Sequence, residues 1–455
     1  MQLSWPPHLF GALVVITSLL TCPVCAEGKL PEAYVSLWRD ADLNRRIDQA
    51  IEKHRKGDMT LELVNRDGQP IPNAQVEVRQ IGHEFLFGCN AFVLGQLDTP
   101  EQNRLYEGRF LKLFNSATVP FYWHATEPTP NELRYQEQGS RHLWRRPPPD
   151  RFLGFAEKHQ LTLKGHPLLY HGYNPGWLPV DREEVRRLYQ KRFKEIAGRY
   201  ADKIKIWDGV NESLECQTNF ALYTPDRSYV GWAFDEQSRV FPKDCMLLIN
   251  EITDFNFKPA QRNAFLSQTR KLLSAGKRIQ GVGLQCHFFR REALDEYVSS
   301  AKSNPTQLLE LYDEFGNLGL PLYITEITIP SAGEGGEALQ AEVVRDLYRL
   351  WFSVPAMAGI TWWNLGDGTA IKGENEAKGG IVDNELSPKP AYEVLDRLIN
   401  AEWKTQQSIQ SNDQGRARFR GFYGRYQLKI MLKGKAKEID LNHVRSGPGT
   451  LRLVL

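Results

Sequence analysis

Two glutamates close apolar, strand-like runs in the same register: Glu212 ends Ile206-Trp207-Asp208-Gly209-Val210-Asn211-Glu212, and Glu326 falls in Tyr323-Ile324-Thr325-Glu326-Ile327. In a closed parallel barrel the C-terminal strand ends face the substrate, so a carboxylate there is aimed at chemistry. One such residue would as readily cap the helix that follows. Two in one register can divide the work of proton donor and nucleophile, which needs one carboxyl protonated and the other ionised.

The elements that must position them are legible as short β-rich runs at 85–90, 117–121, 161–170, 205–210, 246–250, 281–287, 322–329 and 359–365. Between them lie stretches such as 182–200, 259–275 and 337–352, whose apolar residues recur at three- and four-residue steps. Strand and helix alternating eight times predict an α/β fold, a (β/α)8 TIM barrel, over 85–403. Residues 59–79 alternate apolar and polar around Asp67-Gly68 and Ile71-Pro72-Asn73, which predicts a short antiparallel β-hairpin within an N-terminal extension, 27–84. A last helix follows Lys389-Pro390 and runs to Asn400, and 404–455 reads as a small β-rich segment with glycine breaks.

The length of 455 residues suits one barrel with small additions, and a hydrophobic content of 41% can build its core. Most of the eleven Trp are expected in that core, a few in a cleft. An apolar run at 9–20 followed by Val24-Cys25-Ala26 reads as a secretory signal, 1–26, although it has no basic residue before the run. Cys22 or Cys25 is a poor lipoprotein acceptor, and secreted or periplasmic placement is expected. No later run is long and apolar enough to span a membrane. Cys89, Cys216, Cys245 and Cys286 are spread too widely for a disulfide framework or a zinc site; one bridge is possible and none is required. From Lys404 onward eleven Lys and Arg face three Asp and Glu, whereas the whole chain is only +2. That tail could favour acidic polysaccharide or cell surfaces, but a solvated β-rich appendage is the better explanation, and no groove-reading motif suggests nucleic acid.

The motifs taken together resemble family-10 glycoside hydrolases, the retaining endo-β-1,4-xylanases, from about Phe85 to Asn400. In family order come Gly165-His166-Pro167-Leu168-Leu169-Tyr170-His171, Pro175-Gly176-Trp177, the Glu212 motif, Gly283-Leu284-Gln285-Cys286-His287, the Glu326 motif and Gly359-Ile360-Thr361-Trp362-Trp363. The resemblance implies cleavage of β-1,4-xylosidic links in a polysaccharide or oligosaccharide by a monomer without metal or cofactor. Glu212 would be the acid/base and Glu326 the nucleophile, about 5 to 5.5 Å apart as retention requires. It also implies that Asn211 bonds the sugar 2-hydroxyl, that Gln285 and His287 orient the nucleophile, that His171 and Trp177 bind the sugar at the cleavage point, and that Trp363 forms its floor. Repulsion from Glu326 and partial burial would hold Glu212 protonated near neutral pH.

Three departures fall in the implied cleft. The Glu-Asn pair and Lys of strand two are replaced by a stretch ending in Phe121-Tyr122-Trp123-His124, an Asp after the nucleophile by Thr328, and a second floor Trp by Ile371. Trp123 and His124 are expected near the missing clamp, and Thr328 is expected to bond His287 and leave it less basic. A retaining enzyme for another β-linked glycan is the alternative, and a non-catalytic carbohydrate-binding barrel is a further one.

Overall fold

In the computed structural model, residues 30–252, 259–432 and 434–455 are described. The expected signal over 1–26, with Cys22 and Cys25, lies outside them. Strands β1 (Lys56–Val64) and β2 (Gln75–His83) come first. The barrel follows as β3 (Leu86–Asn90), β4 (Ser116–Pro120), β5 (Thr162–His166), β6 (Leu169–Tyr170), β7 (Ile206–Asn211), β8 (Met246–Glu251), β9 (Gly281–His287), β10 (Leu322–Thr328) and β11 (Met357–Trp362). The chain ends with β12 (Gln406–Gln410), β13 (Arg416–Phe422), β14 (Gly424–Leu432), β15 (Lys435–His443) and β16 (Thr450–Val454).

Strands β3 to β11 form one parallel sheet in the order β5-β4-β3-β11-β10-β9-β8-β7-β6, and β5 also pairs with β7, so the sheet closes. Strands β5 and β6 are two halves of one barrel strand, divided where Pro167 has no N–H to give the ladder. Every residue of β4, β7 and β10 is buried, as expected for parallel strands covered on both faces. The helices that cover them carry local start signals. Thr99 and Gln102 form a reciprocal capping box ahead of the helix Pro100–Leu113, and Asp181 accepts the Glu184 N–H at the head of Arg182–Tyr200. The expected eight-strand barrel is thus observed. No helix among the described residues is long and apolar enough to cross a membrane, and Cys89, Cys216, Cys245 and Cys286 are all unpaired.

The N-terminal hairpin is corrected by the pairing. Strand β1 lies between β13, antiparallel, and β16, parallel, while β2 lies between β12 and β14 in a different sheet. Only an isolated bridge, Val64 to Pro70, joins the arms where a hairpin ladder was expected. The alternation that suggested a hairpin reflects one buried face on each strand, and those faces meet from two sheets around Leu61, Leu63, Val76, Val78, Phe419, Tyr426 and Leu428. The basic tail is partly neutralised against this N-terminal segment: Arg416 pairs with Glu62 (3.2 Å), Arg420 with Glu52 (2.7 Å) and Lys429 with Glu77 (3.5 Å). This β-unit packs at the N-terminal end of the barrel strands, opposite Glu212 and Glu326. There Trp403 stacks on Phe352 (4.2 Å between centroids), and Arg55 donates to the Phe352 carbonyl (2.6 Å).

Candidate active site

Glu212 follows β7 directly and takes a left-handed backbone, φ 52°, that L-residues rarely adopt, with its N–H bonded to the Asn250 carbonyl at 2.9 Å. That turn swings the carboxylate over the barrel mouth rather than letting the strand continue. Three donors converge on it: Tyr170 Oη (2.7 Å to Oε2), Gln285 Nε2 (2.9 Å to Oε1) and Asn211 Nδ2 (3.1 Å to Oε1). Glu326, on β10, is 3% exposed and receives Asn250 Nδ2 at 3.1 Å on Oε1 and His287 Nε2 at 3.2 Å on Oε2. Asn250 Nδ2 also donates to Asn211 Oδ1 at 2.7 Å, so the two glutamates are tied through a side-chain relay across the adjacent strands β7 and β8. Gln285 therefore touches the proposed acid and His287 the proposed nucleophile, whereas both were expected on the nucleophile.

Behind Glu326 sits a buried charge cluster. Asp208 receives Lys164 Nζ (2.5 Å) and His166 Nδ1 (2.6 Å), and His166 Nδ1 lies 4.0 Å from Glu326. Burial alone would raise the Asp208 carboxyl, but Lys164 and His166 outweigh it and hold Asp208 below the usual carboxylate range. Glu326 is raised to about 7, first by burial; His166 opposes the rise and the charge of Glu212 adds to it. The sequence reading placed a raised carboxyl at Glu212. Burial raises Glu326, which is the deeper of the two. Burial also lowers His287 to about 4, so its ring is neutral at neutral pH. Its Nδ1 meets Thr328 Oγ1 at 2.9 Å, the bond expected from the Thr replacement. With Nε2–H donating to an ionised Glu326, Nδ1 accepts from the Thr328 hydroxyl.

A cavity of about 370 Å³ opens between these groups and brings Asn211, Glu212, Gln285, His287, Glu326 and Trp363 together. Trp363 is 5% exposed and stands edge-on to His166 and His287 (5.5 and 5.9 Å), as a floor would. Phe289, 39% exposed, stacks on His287 at 4.4 Å and offers a second apolar face, while Ile371 lines the wall where a second Trp was expected. His171 and Trp177 do not line this cavity. The His171 ring packs on Tyr170 (4.8 Å), and Trp177 donates to the Glu127 carbonyl (3.0 Å) against the main core. Nor do Trp123 and His124 stand in for the clamp: Trp123 is buried and donates to Glu127 (2.9 Å), and His124 turns to the Tyr173 carbonyl (3.0 Å). Past the end of β4 the cavity is lined instead by Tyr122, with Arg146 against its ring, and by Arg145, which sequence reasoning missed. The signal was present in Trp144-Arg145-Arg146-Pro147, a basic pair in a non-periodic loop stiffened by proline.

A sequence profile described as Glycosyl hydrolase family 10 matches residues 123–397. The match starts just past β4, so the altered strand-two segment lies at or beyond its edge. Among individual relatives, the Anti-sigma-I factor RsgI6 of Acetivibrio thermocellus is 25% identical over 418 residues, 89% of this chain and 49% of that protein. The chain thus spans about half the length of that relative. Endo-1,4-beta-xylanase B of Thermotoga neapolitana is 28% identical over 300 residues, 62% of this chain and 79% of that protein. Among solved structures, native xylanase 10B from Thermotoga maritima superposes with a TM-score of 0.57 at 23% identity, covering 70% of this chain and 96% of that one, which is a likeness of fold.

Proposed function

We propose that this chain, which belongs to glycosyl hydrolase family 10, hydrolyses β-1,4-xylosidic links with retention of anomeric configuration. The observation that carries the reading is the meeting of Glu212 and Glu326 in one cavity, tied through Asn211 and Asn250. Glu326 attacks the anomeric carbon while Glu212 protonates the departing oxygen, and Glu212 then takes the proton of the water that releases the glycosyl group from Glu326. His287 and Asn250 hold the two nucleophile oxygens, so the attacking atom is oriented before substrate arrives. Tyr170, Gln285 and Asn211 hold Glu212 and stabilise the negative charge it carries from loss of its proton to the leaving oxygen until it takes the proton of water. Trp363 and Phe289 supply the apolar faces on which a sugar ring stacks. The apolar run at 9–20 is the export signal in this reading, checked by sequencing the N-terminus of the exported protein.

A second reading, retention on a different β-linked glycan, is favoured by one observation: Tyr122 and the arginine pair line the cavity, while Trp123 and His124 do not. One experiment decides between them. Xylan, mixed-linkage glucan and aryl β-glycosides are offered to the unaltered protein beside Glu212→Gln and Glu326→Gln, with the first-formed anomer followed by NMR. We expect the β-anomer first from xylan, and a rate loss of about 10³-fold or more in both variants. Inert xylan beside a second polymer that is cut would move the substrate and keep the mechanism. Appearance of the α-anomer, or full activity in either variant, would end both readings.

A further inference from the structure

We propose that the cavity binds a sugar carrying an oxyanion, a uronate carboxylate or a sulfate ester, with the guanidinium of Arg146 as its receptor and Arg145 beside it. The inference rests on the reading of this cavity as the glycan site and deepens it. Arg145 and Arg146 are 3% and 8% exposed, yet both line the cavity that holds Glu212 and Glu326. A buried guanidinium is costly unless an anion and a full set of acceptors receive it. Neither has that among the described residues. Arg145 Nη1 donates to Asn364 Oδ1 (2.6 Å) and to the Thr369 carbonyl, Arg146 Nη1 donates to the Arg145 carbonyl (2.9 Å), and the Nε of each is buried without a partner.

What holds Arg146 in place is aromatic. Its guanidinium lies 4.0 Å from the Tyr122 ring centroid and 5.4 and 5.6 Å from those of Phe92 and Tyr173. Ring faces fix the plane of the fork but accept none of its N–H bonds, so donors are left for a ligand. The acidic group of the cavity wall nearest in influence, Glu374, accepts a hydrogen bond from Asn364 Nδ2 at 3.3 Å, and among the described residues it forms no ion pair with either arginine. Arg145 itself takes a left-handed backbone, φ 60°, so the chain is bent to put two like charges side by side in a buried wall. Position then selects the sugar. Tyr122 Oη meets His166 Nε2 at 3.2 Å, and His166 lies 4.0 Å from Glu326, so the arginine pair sits on the nucleophile side, where the covalently held portion of the glycan lies. A planar fork recognises a carboxylate or sulfate by paired N–H bonds, which a neutral hydroxyl cannot match.

The test is calorimetric binding to the full chain carrying Glu326→Gln, whose turnover of ligand is expected to be slower by about 10³-fold or more. The probes are neutral xylo-oligosaccharides, the same oligosaccharides bearing one glucuronate, and sulfated ones. We expect the acidic probes to bind at least about tenfold more tightly than the neutral one, a preference that shrinks as salt is raised. In the added Arg146→Gln variant the ratio should fall to about one, and in Arg146→Lys, which keeps charge without the fork, to an intermediate value. Tighter uronate or tighter sulfate identifies the anion. Equal or weaker binding of both acidic probes, with the neutral one still bound, overturns the inference and leaves the proposed function standing. Binding of none, with no hydrolysis by the unaltered protein, removes both. If Arg146→Gln does not fold, the acidic-to-neutral ratio and its salt dependence on the protein with Arg146 intact decide.

Discussion

A carboxyl at 3% exposure beside a second carboxyl cannot be ionised without cost, and Glu326 carries that conflict. Its proton leaves at about 7 in the folded chain against the ordinary 4.5. Because the folded value is raised, the contribution to stability is fully present below pH 4.5 and is lost as pH rises through 7, a change of roughly 3 kcal/mol. Glu326→Gln removes the buried charge. Its melting temperature should match that of the unaltered protein near pH 4 and exceed it by several degrees at pH 8; equal shifts at both pH values would refute the assignment. The same ionisation should give kcat/KM an ascending limb centred near pH 7, well above the limb of an ordinary carboxylate. At this scale the sequence was legible where a side chain sits on a strand. Asn211, Gln285, His287 and Glu326 reach the cavity because strand register fixes their direction, and Glu212 and Trp363 reach it from the first position past β7 and β11. His171 and Trp177 lie in the loop after β6, where no period tells one face from another, and Arg145 and Arg146 were missed for the same reason.

Elements set where those side chains can point, and the end of β4 shows how. Just past it, Arg192, from the helix Arg182–Tyr200, reaches across to donate to the Phe121 carbonyl and to Thr126 Oγ1 (2.9 Å). That arginine is 2% exposed and also lies 5.2 Å from the Trp123 ring centroid. It holds the segment that presents Tyr122, and through Tyr122 the guanidinium of Arg146. Arg192→Met keeps much of the volume but leaves a buried carbonyl and hydroxyl without their donor, at a cost of about 1 to 3 kcal/mol for each orphaned group. Denaturant unfolding should report that loss, and KM should rise more than kcat falls, since binding is disturbed while both proposed catalytic carboxylates keep their partners. An unchanged KM would mean that the turn does not need its brace. The eight barrel strands were readable because doubly covered parallel strands are continuous apolar runs. The pairing of β1 and β2 was not, because alternation reports which face is buried and says nothing about which strand lies alongside.

On the scale of the whole molecule, the chain closes on itself: segments some 350 residues apart share a β-core while the barrel occupies the sequence between them. Strand β1 has both of its ladders from β13 and β16, and β2 both of its ladders from β12 and β14. The tail cannot therefore be an independent appendage in the way its position after the barrel suggests. Cutting the chain after Lys404 would keep Trp403 stacked on Phe352 but strip every partner from β1 and β2. It would expose Met59, Leu61, Leu63, Val76 and Val78, each buried to within 2%. At roughly 1.5 to 3 kcal/mol per large apolar side chain returned to water, the loss is comparable with the whole stability of a typical domain. Two strands with open edges and a bare apolar face are also a template for aggregation. The shortened chain should accordingly be insoluble or trap as oligomers, even though Glu212, Glu326 and every residue lining their cavity are retained. Size-exclusion chromatography with a xylan assay checks this: a soluble, monomeric, fully active product would mean that the barrel stands without its β-unit, and that the shared core serves binding rather than folding.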